Sequence, residues 1–301
     1  ATMRGGVLLV FVLATVCTMA FGGHIKKTAV ENRCLSGRKH TMCRYKAQTA
    51  IRTCKDIVDV QSPSSRKVML HLHNEYRDKI ASGKIKGWPQ AANMRQMSWD
   101  YFSEAVALRW VQQCKPGHDD CRPTQTFHNV GQNWGSEAFD TEFPTSNGTF
   151  AGWIEEINSV KRPTSLLKKF RDGNWRHFTQ VIWANSDSLG CGEIHALDGG
   201  LKATIVTCNY GPTGNFMDKK MYLMGEPCSQ CPEGTACKPN SAYPHLCAKP
   251  TDDIEPVDIP ADPGFLENHL GIIKDCEEGH NGECKITYYN VDLPTWCNTT
   301  Q

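Results

Sequence analysis

Arg176-His177-Phe178-Thr179-Gln180-Val181-Ile182-Trp183-Ala184-Asn185-Ser186 follows a Gly173-Asn174 turn and carries apolar residues at Phe178, Val181, Ile182 and Ala184. Spacings of three and four put Phe178, Val181 and Ile182 on one face of a short helix over 176–185. His177 stands at the start of that helix, beside its buried face. Downstream, Ile205-Val206-Thr207-Cys208-Asn209-Tyr210-Gly211-Pro212-Thr213-Gly214-Asn215-Phe216 reads as a strand running into a Gly/Pro turn. Between the two blocks, Gly190 to Ala196 is a shorter strand, and Asp198-Gly199-Gly200 is a hairpin signal joining it to the strand from Leu201 to Tyr210. Cys191 and Cys208 lie on opposite arms of that hairpin.

Upstream the periodicity is helical. Pro63 and Ser64 introduce a helix in which Val68, Leu72, Tyr76 and Ile80 recur every four residues, with Gly83 as its stop. His73, Asn74 and Arg77 fall on its polar side, and His73 is read as structural. Ser98 can cap a second helix, Asp100 to Gln112, that buries Phe102, Val106 and Trp110. Cys114 and Cys121 bracket a Pro-Gly loop, and 150–160 is a third helical piece. Helices on both sides of a small antiparallel sheet make an α+β fold, an α-β-α sandwich.

The length of 301 residues leaves room for one full domain and a smaller addition. A formal charge of +1 gives no bulk electrostatic reason to expect nucleic acid. Arg4, the apolar run Val7 to Val16 and the small residues around Ala20 and Gly22 make residues 1–22 a secretory signal peptide, with Ala1-Thr2 ahead of Met3 reading as translated leader. The apolar run is too short to span a bilayer, which takes about 20 residues. Of fifteen cysteines, Cys17 falls in the signal and an even number remains, the mark of an exported disulfide framework. The sequons at Asn147 and Asn298 suit the same compartment. Residues 23–62 read as an irregular arm tethered by disulfides, 63–224 as the main domain and 225–249 as a cysteine-rich hinge with almost no apolar core of its own. Residues 250–301 hold eleven acids against two lysines, a proline-stiffened linker leading to a cysteine-containing tail.

The two blocks that open this reading, with His73-Asn74-Glu75-Tyr76-Arg77 and Gly131-Gln132-Asn133, resemble the ordered signatures of the CAP superfamily over residues 65–216. That superfamily groups cysteine-rich secretory proteins, antigen 5 venom allergens and plant pathogenesis-related proteins. The resemblance implies the same α-β-α sandwich, here with an irregular disulfide-rich C-terminal extension, in a secreted monomer of the arthropod venom allergen 5 type. It also implies a cleft of two histidines and two acids, falling on His118, Gln132, Glu156 and His177. Gln132 stands where many members carry Glu, as antigen 5 proteins tend to, and this removes one charge. His118, His177 and Glu156 are then the set that could hold Zn²⁺ or Cu²⁺, more weakly as falling pH protonates the histidines.

Two histidines and a carboxylate also invite a metal-dependent hydrolase or protease. No Gly-x-Ser-x-Gly elbow and no His-Glu-x-x-His helix occurs in the sequence, which favours a non-enzymatic reading. Trp134, Phe139, Phe143 and Phe150, interrupted by Pro144, Asn147 and Gly148, are read as aromatics of a loop forming an apolar lip. The resemblance implies a sterol or fatty acid as ligand, held by such a loop or between helices. The remaining alternative is a recognition surface for a host or prey receptor, without ligand. Only three cysteines follow the hinge, too few for the six-cysteine channel-blocking domain of cysteine-rich secretory proteins.

The resemblance implies three pairings: Cys34 with Cys121, Cys54 with Cys114, and Cys191 with Cys208. In the hinge, Cys228 with Cys237 and Cys231 with Cys247 would close two small loops, although spacing leaves three pairings open. Antigen 5 proteins give the Cys43 position a partner four residues before the Cys34 position, and here that residue is Val30. The even total then predicts that Cys43 bridges to one of Cys276, Cys284 and Cys297, the other two pairing with each other. The acidic tail would fold back along the basic arm near Arg38, Lys39 and Arg44.

Overall fold

The computed structural model describes residues 28–29, 40–45, 54–60, 62–124, 126–252, 272–273 and 287–288. Its first elements are Thr28–Ala29 (β1), a helical turn at Thr41–Arg44 (α1) and a strand at Cys54–Asp59 (β2). Pro63–Ala81 (α2) starts from a capping box: the Ser62 hydroxyl accepts from the Ser65 amide at 3.1 Å, and Ser65 Oγ accepts from the Ser62 amide at 2.7 Å. Gly83, with φ of +75°, supplies the left-handed residue that ends it. Ser98–Trp99 (β3) precedes Tyr101–Val111 (α3), whose cap is Asp100 and not Ser98, because Ser98 is committed to the strand; Asp100 Oδ1 accepts from the Ser103 amide at 2.6 Å. Then come Gly131–Phe139 (β4), Ser146–Glu155 (α4), a 3₁₀ turn at Glu156–Ser159, Pro163–Lys168 (α5), Arg176–Val181 (α6), Ser188–Asp198 (β5) and Leu201–Gly211 (β6). The hinge contributes Ala236–Cys237 (β7) and Cys247–Ala248 (β8), and the tail Ile272–Ile273 (β9) and Thr287–Tyr288 (β10).

The main sheet runs β2-β5-β6-β4, with β3 pairing parallel to β5. Part of the arm 23–62 is therefore not irregular: Cys54–Asp59 is the edge strand of this sheet, antiparallel to β5. Alternation along β5 and β6 separates two faces. Ile194, Ala196 and Ile205 pack with Leu108 and Val111 of α3 on one side. Leu189, Cys191, Val206, Cys208 and Tyr210 pack with Met69, Phe150, Trp153 and Phe178 on the other. This is the α-β-α sandwich. Gly190 and Gly192 let α3 lie directly on the strand: a Cβ at Gly192 would meet the Leu108 amide nitrogen at 2.4 Å.

α2 corrects the periodicity argument. Val68 is exposed while Leu72, Tyr76 and Ile80 meet the core as expected, and Arg66 and the polar-side residues His73, Asn74 and Arg77 are buried as well. Each polar group finds a partner there, as burial demands. Arg66 forms a bidentate ion pair with buried Glu104, at 2.8 and 2.9 Å, and Trp99 Nε1 donates to the same carboxylate at 2.7 Å. Asn74 holds both the carbonyl and the amide of Met97. Arg77 donates to the carbonyls of Arg95, Val181, Trp183, Ala184 and Ser186 at 2.7–3.1 Å, and so fixes the whole segment that follows α6. Burial lowers its guanidinium to about 9, against an opposing effect of Asp187.

The hinge is docked as well as bridged. Disulfides join Cys54 to Cys114, Cys191 to Cys208, Cys228 to Cys237 and Cys231 to Cys247. Leu246 is fully buried in the main core, Cys247 pairs through its backbone with Met94 and Gln96, and Lys249 Nζ reaches Asp187 at 2.6 Å. β1 pairs with β10, and β10 with β9, which sets the tail against the arm. Cys121 is disulfide-bonded, while Cys34, the Cys43 side chain, Cys276, Cys284, Cys297, Asn298 and the segment 1–22 lie outside the described residues.

Candidate functional site

His177 is the second residue of α6, and Glu156 opens the 3₁₀ turn after α4. The Glu156 carboxylate takes three donors: His177 Nδ1 at 2.6 Å, the His177 amide at 2.8 Å and the Phe178 amide at 3.1 Å. Burial works to raise this carboxyl, but the hydrogen bonds from His177 and Phe178 outweigh it and hold it below its usual range. Trp153 of α4 stacks on the other side of the imidazole, with ring centres 6.0 Å apart.

His118 lies in the loop between α3 and β4, and Gln132 is the second residue of β4. The Gln132 carbonyl oxygen accepts from His118 Nδ1 at 3.0 Å and from the Asp119 amide at 3.3 Å. Its NH₂ donates to Asp119 Oδ1 and Asn209 Oδ1, each at 3.0 Å. A glutamate at this position would set a second carboxylate against Asp119, which keeps Arg122 as a donor, and would remove the donor that Gln132 gives Asn209 Oδ1. Gln132 is thus a fully engaged tie and not a weakened acid of the cleft. The departure from Glu belongs with Asp119, a buried partner that sequence reasoning missed despite its place beside His118. Burial lowers the His118 imidazole; the Gln132 hydrogen bond and Asp119 oppose this, and Arg122 and His177 add to it.

Both imidazoles are held alike. Each donates Nδ1–H to a side-chain oxygen, which leaves its Nε2 lone pair free, the tautomer that a metal-binding histidine takes. By donor type, the pair would suit Zn²⁺ or Cu²⁺ as a two-imidazole set. His118, His177 and Glu156 do not fit as three ligands, because Glu156 spends both oxygens on α6. Among the described residues, the group of three donors whose ligand atoms all lie within 4.8 Å of one another is Cys228, Cys231 and Cys247. Those sulfurs belong to the two hinge disulfides, whereas a metal takes a thiolate.

His73 connects to this site from below. Its Nδ1 bonds the Met69 carbonyl at 2.7 Å and its Nε2 the Tyr210 hydroxyl at 2.9 Å. Asn133 donates to the same hydroxyl and to the His177 carbonyl, both at 3.0 Å. Complete burial lowers His73 to about 3. Sequence placed Asn133 and Tyr210 in the motifs without a role; their role is to seat α6 on the sheet. His128 is exposed and outside the site.

The four aromatics do not share a loop. Trp134 and Phe139 belong to β4, and Phe150 is a buried residue of α4. Phe143 lies between those elements and stacks face to face on His195 at 4.4 Å. Phe139 alone of the four is half exposed, at 50%. Asn147 is exposed in the first turn of α4.

Residues 70–210 match the CAP family, the cysteine-rich secretory protein family. The chain is 37% identical over 232 residues to venom allergen 5 of Rhynchium brunneum, across 71% of this chain and 95% of that protein. It is 35% identical over 238 residues to a cysteine-rich venom protein of Tityus serrulatus, across 76% of this chain and 56% of that protein, so it spans about half the length of that relative. The solved structure of BmVAL-1 aligns with a TM-score of 0.52 at 27% identity, covering 63% of this chain and 96% of the other. Sandwich, paired signatures and relatives agree: the chain belongs to the CAP family and is similar to venom allergen 5.

Proposed function

We propose that this is a secreted, non-enzymatic effector of the venom allergen type that captures a small hydrophobic ligand, and that a fatty acid suits it better than a sterol. The observation behind this is a cleft of about 350 Å³ beside α5. Val160, Leu166 and Trp175 line it with apolar surface, and Lys161, Arg162, Lys169 and Arg171 supply its charge. Its volume lies in the range of small-molecule sites. Four cations around an apolar groove suit a carboxylate on a chain, whereas a sterol hydroxyl gains little from them. The groove, not the dispersed aromatics Trp134, Phe139, Phe143 and Phe150, is the place of capture.

Solvent extraction of the purified protein followed by mass spectrometry tests this. Fatty acid should copurify and should fall several-fold in a Lys161→Glu, Arg162→Glu variant, while Phe139→Ser, Phe143→Ser leaves it unchanged. An empty extract that stays empty after loading with fatty acid would favour a receptor-recognition module instead. The second reading is metal binding by His118 and His177, favoured by their two free Nε2 atoms. A metal-dependent hydrolase would in addition need Glu156 free to act on water, and its oxygens are taken.

A further inference from the structure

The segment 167–171 runs beside 216–221, tied by backbone hydrogen bonds: Phe170 N to Lys219 O at 2.9 Å, Asp218 N to Phe170 O at 3.0 Å and Met221 N to Leu167 O at 3.0 Å. The two segments share one surface for that reason, and their charge is lopsided. Residues 161–176 and 216–220 carry eight lysines and arginines against two aspartates, in a chain whose formal net charge is +1. Asp218 is shared by Lys169 and Arg171, and Asp172 pairs with Arg176, so both acids are already spent within the cluster. Lys161, Arg162, Lys168, Lys219 and Lys220 are all exposed.

Two large apolar side chains project from the middle of this basic surface. Phe216 is 44% exposed and Met217 50%; they are adjacent in sequence, with Asp218 between them and the lysine pair Lys219-Lys220. They sit on a rigid base: Phe216 packs near Trp183, with ring centres 6.4 Å apart, and Thr179 Oγ1 and the Arg176 carbonyl hold Asn215 beside it. A polyanionic polysaccharide would use the cations but has nothing to offer the apolar pair. A bilayer with anionic headgroups uses both, since lysines stay at the phosphates while Phe and Met enter the interface.

We infer that the face formed by 161–176 and 216–220 docks on anionic phospholipid membranes, with Phe216 and Met217 as the inserted tip. The inference goes beyond ligand capture and does not depend on it. Lys161 and Arg162 belong to both surfaces, whereas Phe216, Met217, Lys219 and Lys220 lie outside the groove lining, so adsorption is tested on these four.

Co-sedimentation with vesicles tests it, using phosphatidylcholine alone and phosphatidylcholine doped with phosphatidylserine. The protein should pellet with the phosphatidylserine vesicles, stay in solution with phosphatidylcholine alone, and be released by salt. Lys219→Gln, Lys220→Gln should weaken adsorption about thirtyfold, at about one kcal/mol for each lysine at the surface. Met217→Ser, which removes an exposed side chain and spares the core, should weaken it several-fold; Phe216→Ser should add to that loss. Equal pelleting with both vesicles would overturn the inference. So would a normal affinity in the lysine variant, or a normal affinity in the Met217 variant together with release by heparin, which would mark a polysaccharide site. Failure of ligand extraction with intact adsorption leaves the inference standing, and capture without adsorption defeats it alone.

Discussion

Glu156 holds His177 at two points, the Nδ1 of its ring at 2.6 Å and its backbone amide at 2.8 Å. One carboxylate therefore orients the imidazole and also satisfies the open amides where α6 begins. Its carboxyl is held below its usual value, so the stabilisation it gives is present above the unfolded pKa near 4.5 and is lost as pH falls through the lower folded value. Glu156→Gln should cost about 1.5–3 kcal/mol at neutral pH. Urea titrations should show the gap between variant and wild type closing below about pH 4, and a gap unchanged down to the acid limit would contradict this role.

His73 should act in the same direction from higher pH. Buried and lowered to about 3, it stays neutral in the fold while the unfolded chain takes a proton near 6.5. Stability should decline as pH drops from about 6.5 towards 3, by a few kcal/mol in total. His73→Gln should flatten that slope, even though it lowers stability at pH 7. A slope identical in the two proteins would assign the acid sensitivity elsewhere.

Metal binding has a direct readout in melting temperature. Zn²⁺ at about one hundred times its Kd should add about 2.7 kcal/mol by mass action. Because burial lowers the His118 imidazole, the gain should persist at pH 7 and shrink as acid protonates His118. His118→Ala, His177→Ala should abolish it. Glu156→Gln should weaken it without abolishing it, since Glu156 orients a ligand and is not one. An equal shift in the double variant would place the ion elsewhere.

Non-reduced peptide mapping tests the arm and tail. We expect Cys43 joined to one of Cys276, Cys284 and Cys297, with the other two joined to each other. The pairing of β1 with β10 is in keeping with this, because it sets tail against arm. A bridge closing so long a loop contributes about 3–5 kcal/mol in the chain-entropy model. Cys43 recovered as an alkylated free thiol would defeat the assignment.

The sequence showed some of these elements and hid others for physical reasons. The start of α6 and the Gly199-Gly200 turn, where φ is +57° and +91°, are local signals and were readable, although the helix ends at Val181 and not at Asn185. β4 was not. Gly131 to Phe139 contains Gly135 and Ser136 and lacks a clean alternation, so its strand state comes from pairing along β6 and not from propensity. β2 was hidden in the same way, as a single edge strand with a break in its pairing between Lys55 and Val58. The inward stripe of α2 misleads any argument from hydropathy, because Arg66, His73 and Arg77 are buried by virtue of partners far along the chain. In the cleft, residue types were readable and their roles were not: whether Glu156 faces a metal or an amide depends on where α6 begins in space.

Arg77 also constrains how the protein is made. The carbonyls of Val181, Trp183, Ala184 and Ser186 that it binds are synthesised 104 to 109 residues after it. At ribosomal speed that is a wait of roughly 5–20 s. Throughout it, the guanidinium has none of these acceptors and stays in water, so α2 cannot pack its inner stripe while the chain is growing. Met69, Leu70 and Ile80 on the same helix are buried in the finished fold, so closure of the core waits until the second half of the domain has been translated.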